Sequence, residues 1–111
     1  MEVKYWTATH THDYIAEFIE AQPTKMQKKI FRDLELVEQY GICFANVKKL
    51  RGYKMHEIKI KTYRIICAMR GTVCWLLHIF IKKSNNTPIR ELETALQRMN
   101  ELDNYLALNL I

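Results

Sequence analysis

Cationic side chains at strand-like spacing are the groups in this chain best suited to chemistry. His78, Phe80 and Lys82 alternate along an apolar run, so they share one face if the run is a β-strand. Two neighbouring runs supply further cations, namely Lys59, Lys61 and Arg64. Lysine and arginine can hold phosphates, and aromatic rings can stack on nucleobases. The spacing predicts a basic sheet face that binds nucleic acid, with core packing of His78 and Phe80 as the alternative.

The positive charge of the chain is concentrated in one segment. The 111 residues include 17 basic and 12 acidic side chains, for a net charge of +5. Positions 48 to 83 hold ten of the basic residues and one acid, Glu57, so the remaining 7 basic and 11 acidic residues sum to −4. The segment begins with the cations Lys48, Lys49, Arg51 and Lys54. This asymmetry favours a polyanion as partner, because a surface that is merely solvated mixes its signs.

Other kinds of site find no support in the sequence. It contains no phosphate-binding glycine loop, no dinucleotide-binding motif and no HExxH zinc motif. His10 and His12 are too few for a zinc site, and the three cysteines have no CxxC spacing. The acidic residues form no cluster suited to Mg²⁺. We therefore expect neither a metal nor a cofactor.

Composition also predicts the compartment. Cys67 and Cys74 lie in apolar runs, which is typical of buried thiols in a reducing cytosol. No apolar run reaches the ~18–20 residues that a membrane-spanning helix needs, and the first residues lack a secretory signal. We expect a cytoplasmic protein with no membrane contact.

Hydrophobic periodicity and turn residues predict the elements that position the cationic side chains. The predicted elements are a strand at 3–8, helices at 11–21 and 24–40, a loop at 42–52, strands at 56–61, 64–69 and 72–81, and a helix after Thr87-Pro88. A capping box from Thr24 to Gln27 should begin the second helix, and Gly41 should end it. The strand at 72–81 is apolar on both faces and should be central.

The order of these elements predicts an α+β fold. Residues 1–111 should form one domain, a small antiparallel sheet with an N-terminal helical hairpin and a C-terminal helix. All helices should pack on one side of the sheet. The apolar end at 106–111 needs a cover, which is either the domain's own sheet or a partner.

Three blocks of the sequence resemble the motifs of a known family. Lys49–Lys59 resembles the block K-L-x-G-x-L-x-E-[IL]-R, and Tyr63–Ile66 is similar to the strand Y-R-I-x-Y. Leu76–Pro88 is similar to L-L-H-x-F-x-K-K-x-x-x-T-P, which is the most specific block because its order and spacing are fixed. With these blocks the chain resembles the HigB-type branch of the RelE/ParE toxin superfamily. The resemblance covers about residues 1–104. Two departures are Lys59 in place of an arginine and Cys67 in place of a tyrosine.

The resemblance implies a function and a set of partners. It implies the toxin of a type II toxin–antitoxin pair, a metal-independent endoribonuclease (mRNA interferase) that cleaves mRNA in the ribosomal A site and so inhibits translation. The partners would be the ribosome with its mRNA and a cognate antitoxin, usually a helix-turn-helix protein. Operator DNA would be bound only through the toxin–antitoxin complex.

Metal-free cleavage of RNA requires a proton acceptor for the 2′-hydroxyl, a cation for the phosphorane and a proton donor for the leaving 5′-oxygen. Lys59 or Lys61 is the expected acceptor, because a lysine among like charges gives up its proton more readily. Arg64 should hold the scissile phosphate. The leaving group should be served by Lys82 or Lys83, with His78 as the alternative acid or base. The residues expected to bind the rest of the RNA are Lys48, Lys49, Arg51, Lys54, Lys61 and Phe80.

Two other functions fit parts of the sequence. One is a ParE-like inhibitor of DNA gyrase, against which the convergence of Lys59, Arg64 and Lys82 argues. The other is a non-catalytic nucleic-acid-binding module or an inactive toxin relic, which the departures at Lys59 and Cys67 keep open.

Overall fold

A computed structural model describes residues 1–7, 12–41 and 46–109 of the chain. They form an α+β fold, as the sequence predicts. The strands are β1 (Glu2–Tyr5), β2 (Val47–Leu50), β3 (Met55–Ile60), β4 (Tyr63–Arg70) and β5 (Val73–Ile81). The helices are α1 (Tyr14–Glu20), α2 (Thr24–Tyr40) and α3 (Ile89–Asn109). None of these helices is both long and apolar enough to cross a membrane.

The strands form one five-stranded sheet in the order β1-β5-β4-β3-β2. The neighbours from β2 to β5 are antiparallel, whereas β1 pairs with β5 in parallel. The predicted antiparallel sheet is therefore correct except at β1. The central position predicted for β5 is confirmed, since it lies between β1 and β4.

Helices cover both faces of the sheet, so the prediction that all of them pack on one side is wrong. On one face, Ile15 of α1 and Ile30 of α2 join a buried cluster with Ile58 and Ile65. On the other face, the buried stripe of α3 packs against the alternate strand positions; this second cluster includes Ala95, Met99, Leu102, Met55, Ile66 and Leu77. The reason is that β4 and β5 are apolar on both faces over most of their length and need a cover on each.

The segment 42–52, predicted as a loop, contains β2. Partly buried Val47 and buried Leu50 flank two exposed lysines, and the four residues pair with β3 in antiparallel register. Four residues with two apolar side chains give too weak a period-two signal to read from sequence. Residues 42–45, with Cys43, lie outside the described part of the chain. Cys67 and Cys74 are buried free thiols, as predicted.

The ends of α2 differ in how well the sequence predicts them. Gly41 ends the helix with a φ of +76°, as predicted. The predicted capping box is wrong, because no side-chain cap is made at the start of the helix. Gln27 instead donates from Nε2 to the carbonyls of Glu20 and Gln22, which ties the end of α1 to the first turn of α2. The antiparallel arrangement of α1 and α2 stays a prediction.

An ion pair joins α3 to the far end of β4. Arg70 donates from Nε and Nη2 to both carboxylate oxygens of Asp103, at 2.6 and 2.9 Å. The hydrogen bond from Arg70 lowers the pKa of Asp103. Because the folded pKa lies below the unfolded one, the pair's stabilisation is present above the unfolded pKa and is lost as pH falls through the folded pKa.

We expect Arg70→Gln to lower the free energy of unfolding at neutral pH by about 1 kcal/mol or less, since the Asp103 side chain is 44% exposed and water screens the pair. Urea unfolding measured at neutral pH and at a pH that protonates Asp103 tests this, with Arg90→Gln as control because Arg90 is 86% exposed. The difference between wild type and Arg70→Gln should shrink at the acidic pH. An equal difference at both pH values would show that the ion pair is not its source.

Candidate functional site

A pocket of about 480 Å³ opens on the face of the sheet that carries α3. Its lining comes from β2, β3 and β4, and from the segment that follows β5: Asn46, Val47, Lys48, Glu57, Lys59, Arg64, Lys82, Ser84 and Asn85. Four of these side chains are cations and one is a carboxylate. The pocket is therefore suited to an anionic ligand.

Strand register explains why these side chains meet. Lys59 stands opposite Arg64 in the β3–β4 pair, and Lys48 stands opposite Glu57 in the β2–β3 pair. Glu57 and Lys59 are two residues apart, so they share a face. Arg64 is opposite Phe80, and Lys82 follows Phe80 by two residues. Three strands and the residue that follows Ile81 of β5 thus bring their polar side chains to the same face.

Glu57 lies at the centre of the pocket's charges. It is 2% exposed, and its Oε2 accepts a hydrogen bond of 2.7 Å from Thr87 Oγ1. Its Oε1 lies 3.6 Å from Arg64 Nε, 3.8 Å from Lys48 Nζ and 3.9 Å from Lys82 Nζ. A buried carboxylate with three cations at such similar distances holds them around one point despite their mutual repulsion.

Arg64 is fixed by the backbone of its own turn. Its Nη1 donates to the carbonyls of Lys61 at 2.8 Å and Tyr63 at 2.9 Å. The side chain is 13% exposed. Within the described part of the chain, Nη2 has no hydrogen-bond partner. One edge of the guanidinium is therefore anchored, while Nη2 keeps its N–H donors for an oxygen atom.

The structure brings together Lys59, Arg64 and Lys82 of the predicted catalytic residues, with Lys48 of the predicted binding residues. Lys83 is exposed and does not line the pocket. The alternation of the sequence suggests that Lys61 shares the face of Lys59, and this is wrong. Ile60 pairs with Tyr63, so Lys61 lies in the turn with a φ of +56°. The Lys61 side chain lines a different groove, beside α2.

The remaining predicted binding cations lie elsewhere on the β2–β3 hairpin. Lys49 alternates with Lys48 and stands opposite His56. Arg51 and Lys54 are exposed in the turn between the two strands. Lys54 is close enough to Asp103 to help lower the pKa of that carboxyl. The cationic stretch of the sequence is thus divided among several surfaces.

His78 and Phe80 are packed inside the protein, which is the alternative that the sequence allows to binding nucleic acid. Phe80 is 6% exposed and belongs to the core under α3, so it offers little surface to a nucleobase. The His78 ring stacks on it with centroids 5.6 Å apart. His78 Nε2 lies 2.5 Å from Glu91 Oε2, and Arg98 Nη1 lies 3.2 Å from His78 Nδ1. Burial lowers the pKa of His78; the side chain joins α3 to β5 outside the pocket.

Sequence reasoning missed Glu57, Asn46, Ser84 and Asn85 as site residues. The signal for Glu57 is its position as the one acid between 48 and 83, on a strand face with Lys59. The sequence holds no such signal for Asn46, because this residue lies in the predicted loop. In the structure the Asn46 carbonyl accepts a hydrogen bond of 2.8 Å from Lys59 N. The described residues do not include His10. They contain no group of three or more His, Cys, Asp or Glu side chains that could hold a metal ion.

Known proteins resemble this chain in sequence pattern and in fold. A family model described as phage derived protein Gp49-like (DUF891) matches residues 17–100. The archaeal RelE–RelB complex from Pyrococcus horikoshii OT3 includes a chain with a TM-score of 0.59 and 16% identity, over 73% of this chain and 93% of that one. The YoeB–YefM toxin–antitoxin complex from Staphylococcus aureus includes a chain with a TM-score of 0.54 and 13% identity, over 76% of this chain and 97% of that one. No curated protein matches the chain in sequence.

A second archaeal structure has the same fold. The RelB–RelE antitoxin–toxin complex from Methanococcus jannaschii gives a TM-score of 0.52 and 15% identity, over 73% of this chain and 89% of that one. At these identities the similarity concerns the fold.

Proposed function

The chain belongs to the family of phage derived Gp49-like proteins, and on that premise we propose that it is the toxin of a type II toxin–antitoxin pair. Its fold is that of the RelE and YoeB proteins, which have been solved in complexes with RelB and YefM. That likeness supports both the toxin role and a cognate antitoxin as partner. The fold that the resemblance implies is thereby confirmed, while membership of the RelE/ParE toxin superfamily and of its HigB-type branch stays part of the proposal.

The proposed activity is metal-independent cleavage of translated mRNA in the ribosomal A site. The observation that carries it is the meeting of Lys59, Arg64 and Lys82 around one open pocket, with Glu57 buried beneath them. A non-catalytic anion site needs cations, but it does not need several of them fixed at 3.6–3.9 Å from one buried carboxylate oxygen. Fixed charges of this kind suit a transition state in which charge develops on phosphate oxygens.

Each proposed step uses one side chain of the pocket. Lys59, as the neutral amine, takes the proton of the 2′-hydroxyl, and the 2′-oxygen attacks the adjacent phosphorus. Arg64 donates to a non-bridging oxygen as the phosphorane forms. Lys82 gives a proton to the departing 5′-oxygen, so that the products are a 2′,3′-cyclic phosphate and a free 5′-hydroxyl.

Glu57 is proposed as a positioning residue. It does not need to touch RNA, because its oxygens face Thr87 and the three cations. The hydrogen bond from Thr87 also ties the segment before α3 to Glu57. This segment includes Ser84 and Asn85, which line the pocket. Further elements of the proposal are a cytoplasmic location, a helix-turn-helix antitoxin and contact with operator DNA through the toxin–antitoxin complex.

Dependence on the ribosome follows from what the pocket lacks. None of its nine lining residues is aromatic, and Phe80 is buried, so the described pocket has no platform on which to stack a base. The pocket can hold a phosphate but cannot bend a strand to align the 2′-oxygen with the 5′-leaving group. We propose that ribosome-bound mRNA arrives already bent.

We expect purified protein to cleave mRNA on programmed ribosomes at least ~100-fold faster than the same mRNA free in solution, because alignment of the reacting atoms is supplied by the ribosome. Single-turnover cleavage of an end-labelled mRNA, with and without ribosomes, measures the ratio. Equal rates on both substrates would contradict ribosome dependence. Growth arrest in cells with intact mRNA and damaged DNA would favour the gyrase-inhibitor function.

A further inference from the structure

A second cationic groove lies on the opposite face of the sheet from the pocket. It has a volume of about 410 Å³ and runs between the first half of α2 and the turn that joins β3 to β4. Its lining residues are Lys25, Met26, Lys28, Lys29, Arg32 and Lys61. Five of the six are cations, which is a higher share than in the pocket itself.

Helical spacing and turn geometry bring the five cations together. Lys25, Lys28, Lys29 and Arg32 stand at i, i+3, i+4 and i+7 of α2, so they form one stripe of about two turns. Lys61 reaches the stripe from the turn, where its left-handed backbone conformation takes it off the face of β3.

The charge of the groove is largely uncompensated. Lys29 Nζ lies 2.9 Å from Oδ1 of Asp33, which is buried. Among the described residues, the other four cations have no ion pair. Like charges at i, i+3 and i, i+4 destabilise a helix slightly, so the stripe costs folding free energy, and among the described residues only the Lys29–Asp33 ion pair offsets it.

We propose that this groove binds the sugar–phosphate backbone of RNA outside the strand that enters the pocket. The choice of RNA over an acidic protein rests on composition. Protein interfaces are depleted in lysine and rich in aromatic residues, whereas this groove is lysine-rich, open and lined by one apolar side chain, Met26. Lysines on flexible stems are suited to backbone phosphates, which give affinity without sequence preference.

The groove and the pocket share one structural element. The Lys61 carbonyl accepts the hydrogen bond of 2.8 Å from Arg64 Nη1, so the turn whose side chain enters the groove also holds the arginine of the pocket. RNA bound along α2 therefore lies against the turn that positions Arg64. The inference rests on the proposed function only in taking RNA as the partner of the pocket.

The test compares K25Q/K28Q with K4Q/R90Q, which removes the same two charges at exposed sites outside both surfaces. Glutamine has nearly the helix propensity of lysine, so α2 should be retained. The probe is a 20-nucleotide single-stranded RNA with 2′-O-methyl groups, which cannot be cleaved, titrated at several salt concentrations. We expect K25Q/K28Q to bind about tenfold more weakly at physiological salt and to reduce the slope of log K against log[salt] by about 1.4. K4Q/R90Q should match wild type.

The inference is overturned if K25Q/K28Q and K4Q/R90Q bind the RNA with the same affinity and slope. It is also overturned if K25Q/K28Q keeps RNA affinity but loses affinity for poly-glutamate, since the partner is then an acidic protein. A groove-dependent slope in a protein that never cleaves mRNA on ribosomes would support RNA docking while contradicting the proposed function. The two failures are therefore distinguishable.

Discussion

Replacement of Arg64 by alanine is expected to reduce ribosome-dependent mRNA cleavage by about 10²–10³-fold, the usual cost of removing a fixed donor from a developing negative charge. The guanidinium is held by two backbone carbonyls and by Glu57, so this cation is fixed in the lining of the pocket before RNA arrives. Single-turnover cleavage on programmed ribosomes measures the loss. Affinity for uncleavable RNA should change much less than the rate.

Controls separate chemistry from folding in this experiment. Arg64→Lys keeps the charge but not the forked donors, so it should recover part of the rate. Arg90→Ala removes an 86% exposed arginine outside the pocket and should cleave like wild type. Loss of the Arg64 hydrogen bonds should lower the free energy of unfolding by about 1–2 kcal/mol, which leaves a folded protein. Full cleavage by Arg64→Ala would contradict the proposed mechanism.

Glu57→Gln is expected to lower the cleavage rate about 10-fold while RNA binds more tightly than to wild type. Glutamine preserves the shape and the hydrogen bond from Thr87, but the pocket gains one net positive charge. Lys48, Arg64 and Lys82 then repel one another without a counterion and move apart. The rate and the affinity should therefore change in opposite directions, which a simple loss of folding does not produce.

Glu57→Asp is the matched variant, since it keeps the charge and shortens the side chain. It should retain more activity than Glu57→Gln. A loss for Glu57→Gln as large as that for Arg64→Ala, with RNA affinity retained, would instead identify Glu57 as the proton acceptor in place of Lys59. Unchanged cleavage by Glu57→Gln would show that the carboxylate does not position the cations.

Period-two alternation was sufficient to predict the core of the site. Lys59 on β3, Arg64 on β4 and Lys82 after β5 could be assigned to one face because each strand has a clear apolar alternate face. The short turn between Ile60 and Tyr63 then fixes the register that sets Lys59 opposite Arg64. Such local patterns predict the folded arrangement because one face of each strand is buried. A shift of the strand register by one residue would expose the apolar side chains.

Features that depend on a second packed layer could not be predicted in the same way. Phe80 and His78 share the face of Lys82, but α3 covers that part of the sheet and buries the ring. Lys61 continues the alternation of β3 in sequence, yet the turn begins there. Glu57 is an ordinary polar position of a half-exposed strand until Thr87 and three cations enclose it. The Lys61 outcome is set by the adjacent turn, whereas those of Phe80, His78 and Glu57 are set by residues distant in sequence.

We propose above all that the pocket of Lys59, Arg64 and Lys82 cleaves mRNA during translation. Its most direct test is the mapping of mRNA 5′ ends after induced expression in a bacterium, with wild-type protein and Arg64→Ala compared, and with the neighbouring gene present or absent. We expect new 5′-hydroxyl ends within translated frames for wild type, their loss in Arg64→Ala and their suppression by a cognate antitoxin. Growth arrest by wild-type protein with mRNA left intact would contradict it.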